Sequence, residues 1–164
     1  MNSVGKMVAV VGAAGAGKTT LIEGLVRILA DRGYRVGVIK HTSHPVEGLG
    51  PAGKDTWRVA RAGAAAVVLA GPDGLAFWRR GRAEGVEALS GLMADADLVL
   101  VEGFSREAGI PKILVHRRDG APKEVLGPVV AVVGDPLPDS AVPHYGYAQL
   151  EELAGLVMAE AVAR

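Results

Sequence analysis

An α/β fold, with a mainly parallel sheet covered by helices on both faces, is predicted by three observations. Short apolar runs bounded by turn residues recur along the 164-residue chain. Segments with helical spacing lie between them, the pattern of strands joined by crossover helices. A glycine-rich turn joins the first run to the first helix, and it spells Gly12-Ala13-Ala14-Gly15-Ala16-Gly17-Lys18-Thr19.

The elements follow in order. Met7-Val8-Ala9-Val10-Val11 reads as a buried strand. The helix after it runs through Thr20 to Leu29, with Leu21, Leu25 and Leu29 at helical spacing and Ile22 and Val26 beside them. Arg32-Gly33 stops it, with glycine just past the end. Val36 to Lys40 is a second strand, followed by a loop rich in Gly and Pro from His41 to Gly53. Asp55 to Ala62 reads as a helix and Ala65 to Ala70 as a third strand. Leu75 to Trp78 reads as a short antiparallel strand hairpinned to that one across Gly71-Pro72-Asp73-Gly74. Val86 to Ala94 is a helix and Leu98 to Val101 a strongly apolar strand. Lys112 to His116 and Val129 to Val133 complete the strands. Tyr147 to Ala163 closes the chain as an amphipathic helix, with Leu150, Leu153, Val157 and Ala161 inward. The stretch from Asp139 to Tyr145 carries no usable motif. Length and the absence of a composition break predict one domain over residues 1–164.

Composition bounds the function. There are 18 basic and 18 acidic side chains and no cysteine. A neutral chain has no broad attraction for nucleic acid or an anionic membrane, so neither is expected as a partner. Disulfides, thiolate metal sites and cysteine nucleophiles are excluded. No apolar stretch approaches the ~20 residues of a membrane span. The opening Met-Asn-Ser-Val-Gly-Lys is too short and polar for a signal peptide, so a cytoplasmic protein is expected.

The glycine-rich turn matches the phosphate-binding loop G-x-x-x-x-G-K-S/T in its required setting between a strand and a helix. Its backbone N–H groups form a concave nest, and the helix N-terminus adds positive partial charge. Lys18 reaches outer phosphates and the Thr19 hydroxyl ligates a phosphate-bound Mg2+. A glycine-rich turn that binds nothing is the competing explanation, since 23 residues are glycine.

Ligands of parallel sheets collect at the carboxyl ends of the strands. Gly12, Lys40-His41, Glu102-Gly103 and Gly134-Asp135 all follow directly on apolar runs, so they are expected along one rim. Glu102 stands where phosphate-loop enzymes keep an acid to orient the magnesium shell, and its longer arm suits contact through a water. Asp55 is a second candidate, although an acid opening a helix is also explained by the helix dipole. Glu102 and Asp55 are also the candidates for a catalytic role. Lys40 is a candidate second phosphate contact, or part of a solvated loop. His41 and His44 are expected to form a polar pocket wall rather than a metal site, because Pro45 opposes a helix there. No N-K-x-D sequence is present, so the residues alone do not separate GTP from ATP. Asp135 is a candidate acceptor for a purine amino group, or a plain turn residue.

Together these residues resemble the molybdopterin-guanine dinucleotide biosynthesis protein B family, MobB. The resemblance rests on the Gly12 to Thr20 loop, Val38-Ile39-Lys40-His41, Pro51 to Arg58, Ala62-Gly63-Ala64, Leu98 to Phe104 and Ile110-Pro111-Lys112-Ile113, in the family's order across most of the chain. It implies a P-loop NTPase-type fold and a GTP-binding accessory protein of molybdenum cofactor maturation. The implied partner is the guanylyltransferase that joins GMP to molybdopterin, with molybdopterin itself a further candidate ligand. It also implies a homodimer and at most slow, Mg2+-dependent GTP hydrolysis. Gly15, Gly17, Lys18, Thr19 and Thr20, within the run that also holds Gly12, Ala13, Ala14 and Ala16, would bind the phosphates. Thr19 with Glu102 would handle magnesium. His41, Lys54, Asp55 and Lys112 would line an adjoining anion or partner surface. One departure stands out: Glu47 is the only acid between His44 and Gly50, where family members commonly carry several.

Two other readings compete. A small-molecule kinase of the same loop class needs a mobile lid and an arginine near the phosphoryl group. Arg58, Arg61, Arg79, Arg80, Arg82 and Arg106 are available, but no long cationic lid is evident. A metallochaperone GTPase would carry a histidine-rich tract or thiolates, and four scattered histidines without cysteine argue against it.

Overall fold

The computed structural model describes residues 6–81, 85–120, 124–138 and 140–161. Of the positions singled out above, residues 1–5, Arg82, Asp139 and residues 162–163 lie outside the described residues. The described residues gather into two compact units, one of residues 6–41 and 85–161, the other of residues 42–81.

The first unit holds β1 (Lys6–Gly12), α1 (Lys18–Asp31), β2 (Val36–Lys40), α3 (Gly85–Ser90), β5 (Leu98–Glu102), β6 (Lys112–His116), β7 (Val129–Gly134), β8 (His144–Tyr145) and α4 (Leu150–Glu160). Its six strands form one sheet in the order β2-β5-β1-β6-β7-β8, parallel at every pairing. β1 is buried on both faces, which is why its sequence is continuously apolar rather than alternating. Val8 and Val10 face one core with Leu21, Leu25 and Leu29 of α1 and Leu153 and Val157 of α4. Ala9 and Val11 face the other with Ile39, Val86, Val99 and Val101. This is a P-loop NTPase-type α/β fold, as expected.

The second unit holds α2 (Asp55–Arg61), β3 (Ala66–Gly71) and β4 (Gly74–Arg79). Among the described residues β3 and β4 pair with each other alone, antiparallel, as the Pro72-Asp73 turn predicts. The run Ala65 to Ala70 is therefore a strand of the hairpin and not of the parallel sheet.

Two helices and one short strand differ from the sequence reading. The segment Val86 to Ala94 splits into α3 and a 3-10 turn over Gly91–Met93. The Ser90 hydroxyl donates to the Glu87 carbonyl at 2.7 Å, competing with the α-helical pattern just before Gly91. The closing helix starts at Leu150, after a 3-10 turn over Tyr147–Gln149. Gln149 Oε1 accepts from the Gly146 N–H at 3.0 Å and caps that turn. β8 was not anticipated, because two residues carry no periodicity; it pairs His144 with Val132 and Tyr145 with Val133.

Candidate functional site

Parallel strands set the ends of β1, β2, β5, β6 and β7 along one rim, and the register fixes who meets whom. Lys40 is paired with Glu102 across β2 and β5, and Glu102 with Val10 across β5 and β1. Gly12 opens the loop at φ 149°, and a Cβ there would run into the Val115 carbonyl oxygen. Gly17 closes it as the left-handed N-cap of α1, at φ 100° and ψ 16°. Glycine is the residue that takes such a conformation without strain. Left- and right-handed residues in succession turn consecutive N–H groups toward one side, the geometry of an anion nest.

Lys18 begins α1 and folds back over the loop. Its ammonium donates to the Ala13 carbonyl at 2.6 Å and the Gly12 carbonyl at 3.2 Å. Thr19, one residue on, donates its hydroxyl to Glu102 Oε2 at 3.0 Å. Lys40 completes the group: its Nζ lies 3.2 Å from Glu102 Oε2, 3.1 Å from Oε1 and 3.4 Å from Thr19 Oγ1. The Glu102 side chain is only 12% exposed, so its charge is held by partners rather than by water. Past it the backbone turns sharply, with Gly103 at φ 96° and Phe104 at φ 52°, a rare conformation for a non-glycine residue. The His41 N–H donates to the Glu102 carbonyl at 3.0 Å, and its ring meets Phe104 edge-on at 5.2 Å.

Two residues that the sequence reading did not single out as site candidates border the loop. The Tyr147 hydroxyl donates to the Gly17 carbonyl at 3.3 Å, and burial holds its ionisation above the usual phenol range. The Arg117 guanidinium lies 3.5 Å from the Gly15 carbonyl and pairs with Asp119 at 3.0 Å. The rim rule would have found Arg117, since it follows directly on β6. Nothing in the sequence marked Tyr147, which is placed there by the two-residue β8.

The remaining candidates make other contacts. Asp135 Oδ2 accepts from the Arg118 N–H at 2.9 Å, so one oxygen of this rim residue ties together the turns after β6 and β7. Lys112 is fully buried at the start of β6, not at the rim. Its ammonium donates to the carbonyls of Glu107 and Ile110, the latter at 2.8 Å, and burial pushes its pKa below the usual lysine value. It presents no charge to a surface and pins the segment before its own strand instead. Lys54 and Asp55 belong to the second unit, as the N-cap and first residue of α2. Asp55 is 99% exposed there and pairs with Arg58 at 3.7 Å, as an acid in a first helical turn does. His44 donates its N–H to Thr42 Oγ1 at 3.1 Å. Glu47 lines a cleft of about 220 Å³ within the second unit, beside Arg61, Trp78 and Arg80. Arg80 donates to the Ala60 and Ala64 carbonyls, so that cleft is walled by a guanidinium already bound to backbone.

The sequence matches the family model described as molybdopterin guanine dinucleotide synthesis protein B, over residues 7–135. The chain belongs to the MobB family. It is 39% identical over 122 residues to the molybdopterin-guanine dinucleotide biosynthesis adapter protein of Haemophilus influenzae, covering 73% of this chain and 67% of that one. The Escherichia coli protein of the same name is 39% identical over 132 residues, 74% of each chain. A solved MobB homologue from Bacillus stearothermophilus superposes with a TM-score of 0.66 at 28% identity, covering 98% of both chains. The matched span of the MobB family model takes in the phosphate loop, Lys40 and Glu102. Tyr147 lies beyond it. Among the described residues no helix is long and apolar enough to cross a membrane.

Proposed function

We propose that this chain binds GTP with Mg2+ on the Gly12–Thr19 loop and serves as an adapter in molybdopterin-guanine dinucleotide synthesis. It assists a partner guanylyltransferase and hydrolyses GTP slowly. The reading is carried by one observation: the loop that folds around Lys18 delivers Thr19 directly onto Glu102, at 3.0 Å. A hydroxyl and a single carboxylate suit Mg2+, which keeps several waters and takes its remaining ligands from phosphate oxygens. Among the described residues no group of three or more His, Asp or Glu is gathered to hold a metal without such help. Thr19 and Glu102 would hold the ion, and its charge would offset that of the phosphates. Kinship with proteins named as adapters supports the partner role. Slow hydrolysis is supported by the site's own bonding, since its carboxylate is already engaged by Thr19 and Lys40.

The test is a titration with fluorescent GTP, with ATP as competitor, on the wild type and Lys18→Ala. Lys18 supplies a charge-assisted bond to phosphate, so its loss costs about 2 kcal/mol or roughly thirtyfold in affinity. The melting curve of each protein is recorded alongside, so that a loss of affinity is read on folded protein. Unchanged affinity in Lys18→Ala overturns the site; preference for ATP overturns the guanine reading. Turnover is then measured with and without the guanylyltransferase. Rapid phosphoryl transfer to a small molecule would instead make the protein a kinase.

We also propose a homodimer formed through the β3–β4 hairpin. Val68 lies opposite Phe77 and Ala70 opposite Leu75, so these four share one face, and Leu75 is 74% exposed. Apolar side chains gathered on one strand face mark an interaction surface.

A further inference from the structure

Lys40 sits where a metal ion joining Thr19 to Glu102 would sit. Its ammonium touches the hydroxyl and both carboxylate oxygens within 3.4 Å. Cross-strand register places it there, since β2 and β5 pair Lys40 with Glu102 residue for residue. The side chain is long, more than half exposed and at the end of an edge strand, so it is free to swing. Resting on the proposed nucleotide site, we propose that Lys40 is a tethered cation that holds the divalent-metal position shut. It yields that position when a polyphosphate arrives to take the ammonium.

The argument is one of charge. Glu102 is nearly buried and needs a cation beside it. An ammonium and Mg2+ cannot both occupy the 3 Å shell of one carboxylate without strong repulsion. A metal entering alone must displace Lys40 into water with nothing to receive it. A metal entering with a polyphosphate offers the ammonium phosphate oxygens instead. Magnesium and nucleotide therefore load together, and the empty loop does not sequester metal. The same lysine is an inhibitor toward the metal and a ligand toward the phosphates.

The experiment uses the full chain and two neutral variants, Lys40→Met and Lys40→Gln. Mn2+, a paramagnetic substitute for Mg2+, is titrated into nucleotide-free protein and its free signal followed by electron paramagnetic resonance. Loss of the competing ammonium tightens Mn2+ binding about tenfold, and adding Glu102→Gln to either variant abolishes the gain. In a second arm, inorganic triphosphate is titrated in excess EDTA; both variants bind it about tenfold more weakly, for want of the transferred cation. Opposite movements from one substitution are the signature, because a merely damaged loop weakens both. Equal Mn2+ affinity in wild type and variants, or weakening in both arms, overturns the proposal. Lys18→Ala run in the triphosphate arm judges the nucleotide site separately: if it binds like the wild type, the proposed function falls while the Mn2+ arm still decides Lys40.

Discussion

Gly17 carries two constraints in one residue. Its φ of 100° is left-handed, and the position of its missing Cβ is taken by the Tyr147 hydroxyl. Gly17→Ala therefore suffers both backbone strain of about 1–2 kcal/mol and a collision with that hydroxyl. Adding Tyr147→Phe removes the hydroxyl but not the strain. We expect urea denaturation to show Gly17→Ala destabilised and the double variant partly recovered; a double variant no better than Gly17→Ala would show that the hydroxyl is not the obstacle. This residue also marks what was readable. Spacing alone put Gly17 and Lys18 at the turn into the first helix, where the structure has them as N-cap and first residue. Tyr147 gave no such signal, because contact between positions 130 apart in sequence leaves no local pattern. Lys112 misled for a related reason. A lysine heading a strand looks exposed until backbone carbonyls are found to surround its ammonium.

Strands and helices were legible wherever one face is continuously apolar, as in β1, β5 and α1, and illegible where the element is two residues long or a hydroxyl bends it. The start of the sheet shows how polar residues set register. Arg35 and Asp97 precede β2 and β5, and the Asp97 carboxylate takes the Arg35 N–H at 2.8 Å and its guanidinium at 3.1 Å. In return Asp97 N–H donates to the Arg35 carbonyl at 2.8 Å. The Arg35 side chain first, and its backbone N–H second, hold the Asp97 carboxyl below its usual range. A carboxyl with a lowered native pKa stabilises the fold fully above its unfolded value, near pH 4, and loses that contribution as pH falls through the lowered one. Asp97→Asn should therefore be less stable than the wild type at pH 7, with the difference shrinking as pH falls below the unfolded value. Urea midpoints measured from neutral into acid pH check it; a gap that does not narrow as pH falls would mean the carboxylate charge contributes nothing.

At the scale of the whole molecule, the described hairpin exposes four large apolar side chains, Val68, Leu69, Leu75 and Phe77. On β3 and β4 alternate residues point to opposite faces. Trp78 is nearly buried and donates its indole N–H to the Val46 carbonyl at 2.8 Å, whereas Leu69 on the same face is 52% exposed. The opposite face presents Val68, Leu75 and Phe77, all exposed, and leaves them in water at a cost of about 25 cal/mol for each Å². A second copy of the same hairpin is the self-complementary cover that two-fold symmetry supplies. Light scattering of the wild type should give twice the 16.9 kDa chain mass. Phe77→Glu and Leu75→Glu each place a charge at the centre of that face and should return the chain to a monomer. Because the exposed positions take a charge without opening a core, the circular dichroism spectrum should not change. A wild type that elutes as a monomer, or a charged variant that stays dimeric, would remove the hairpin from the interface.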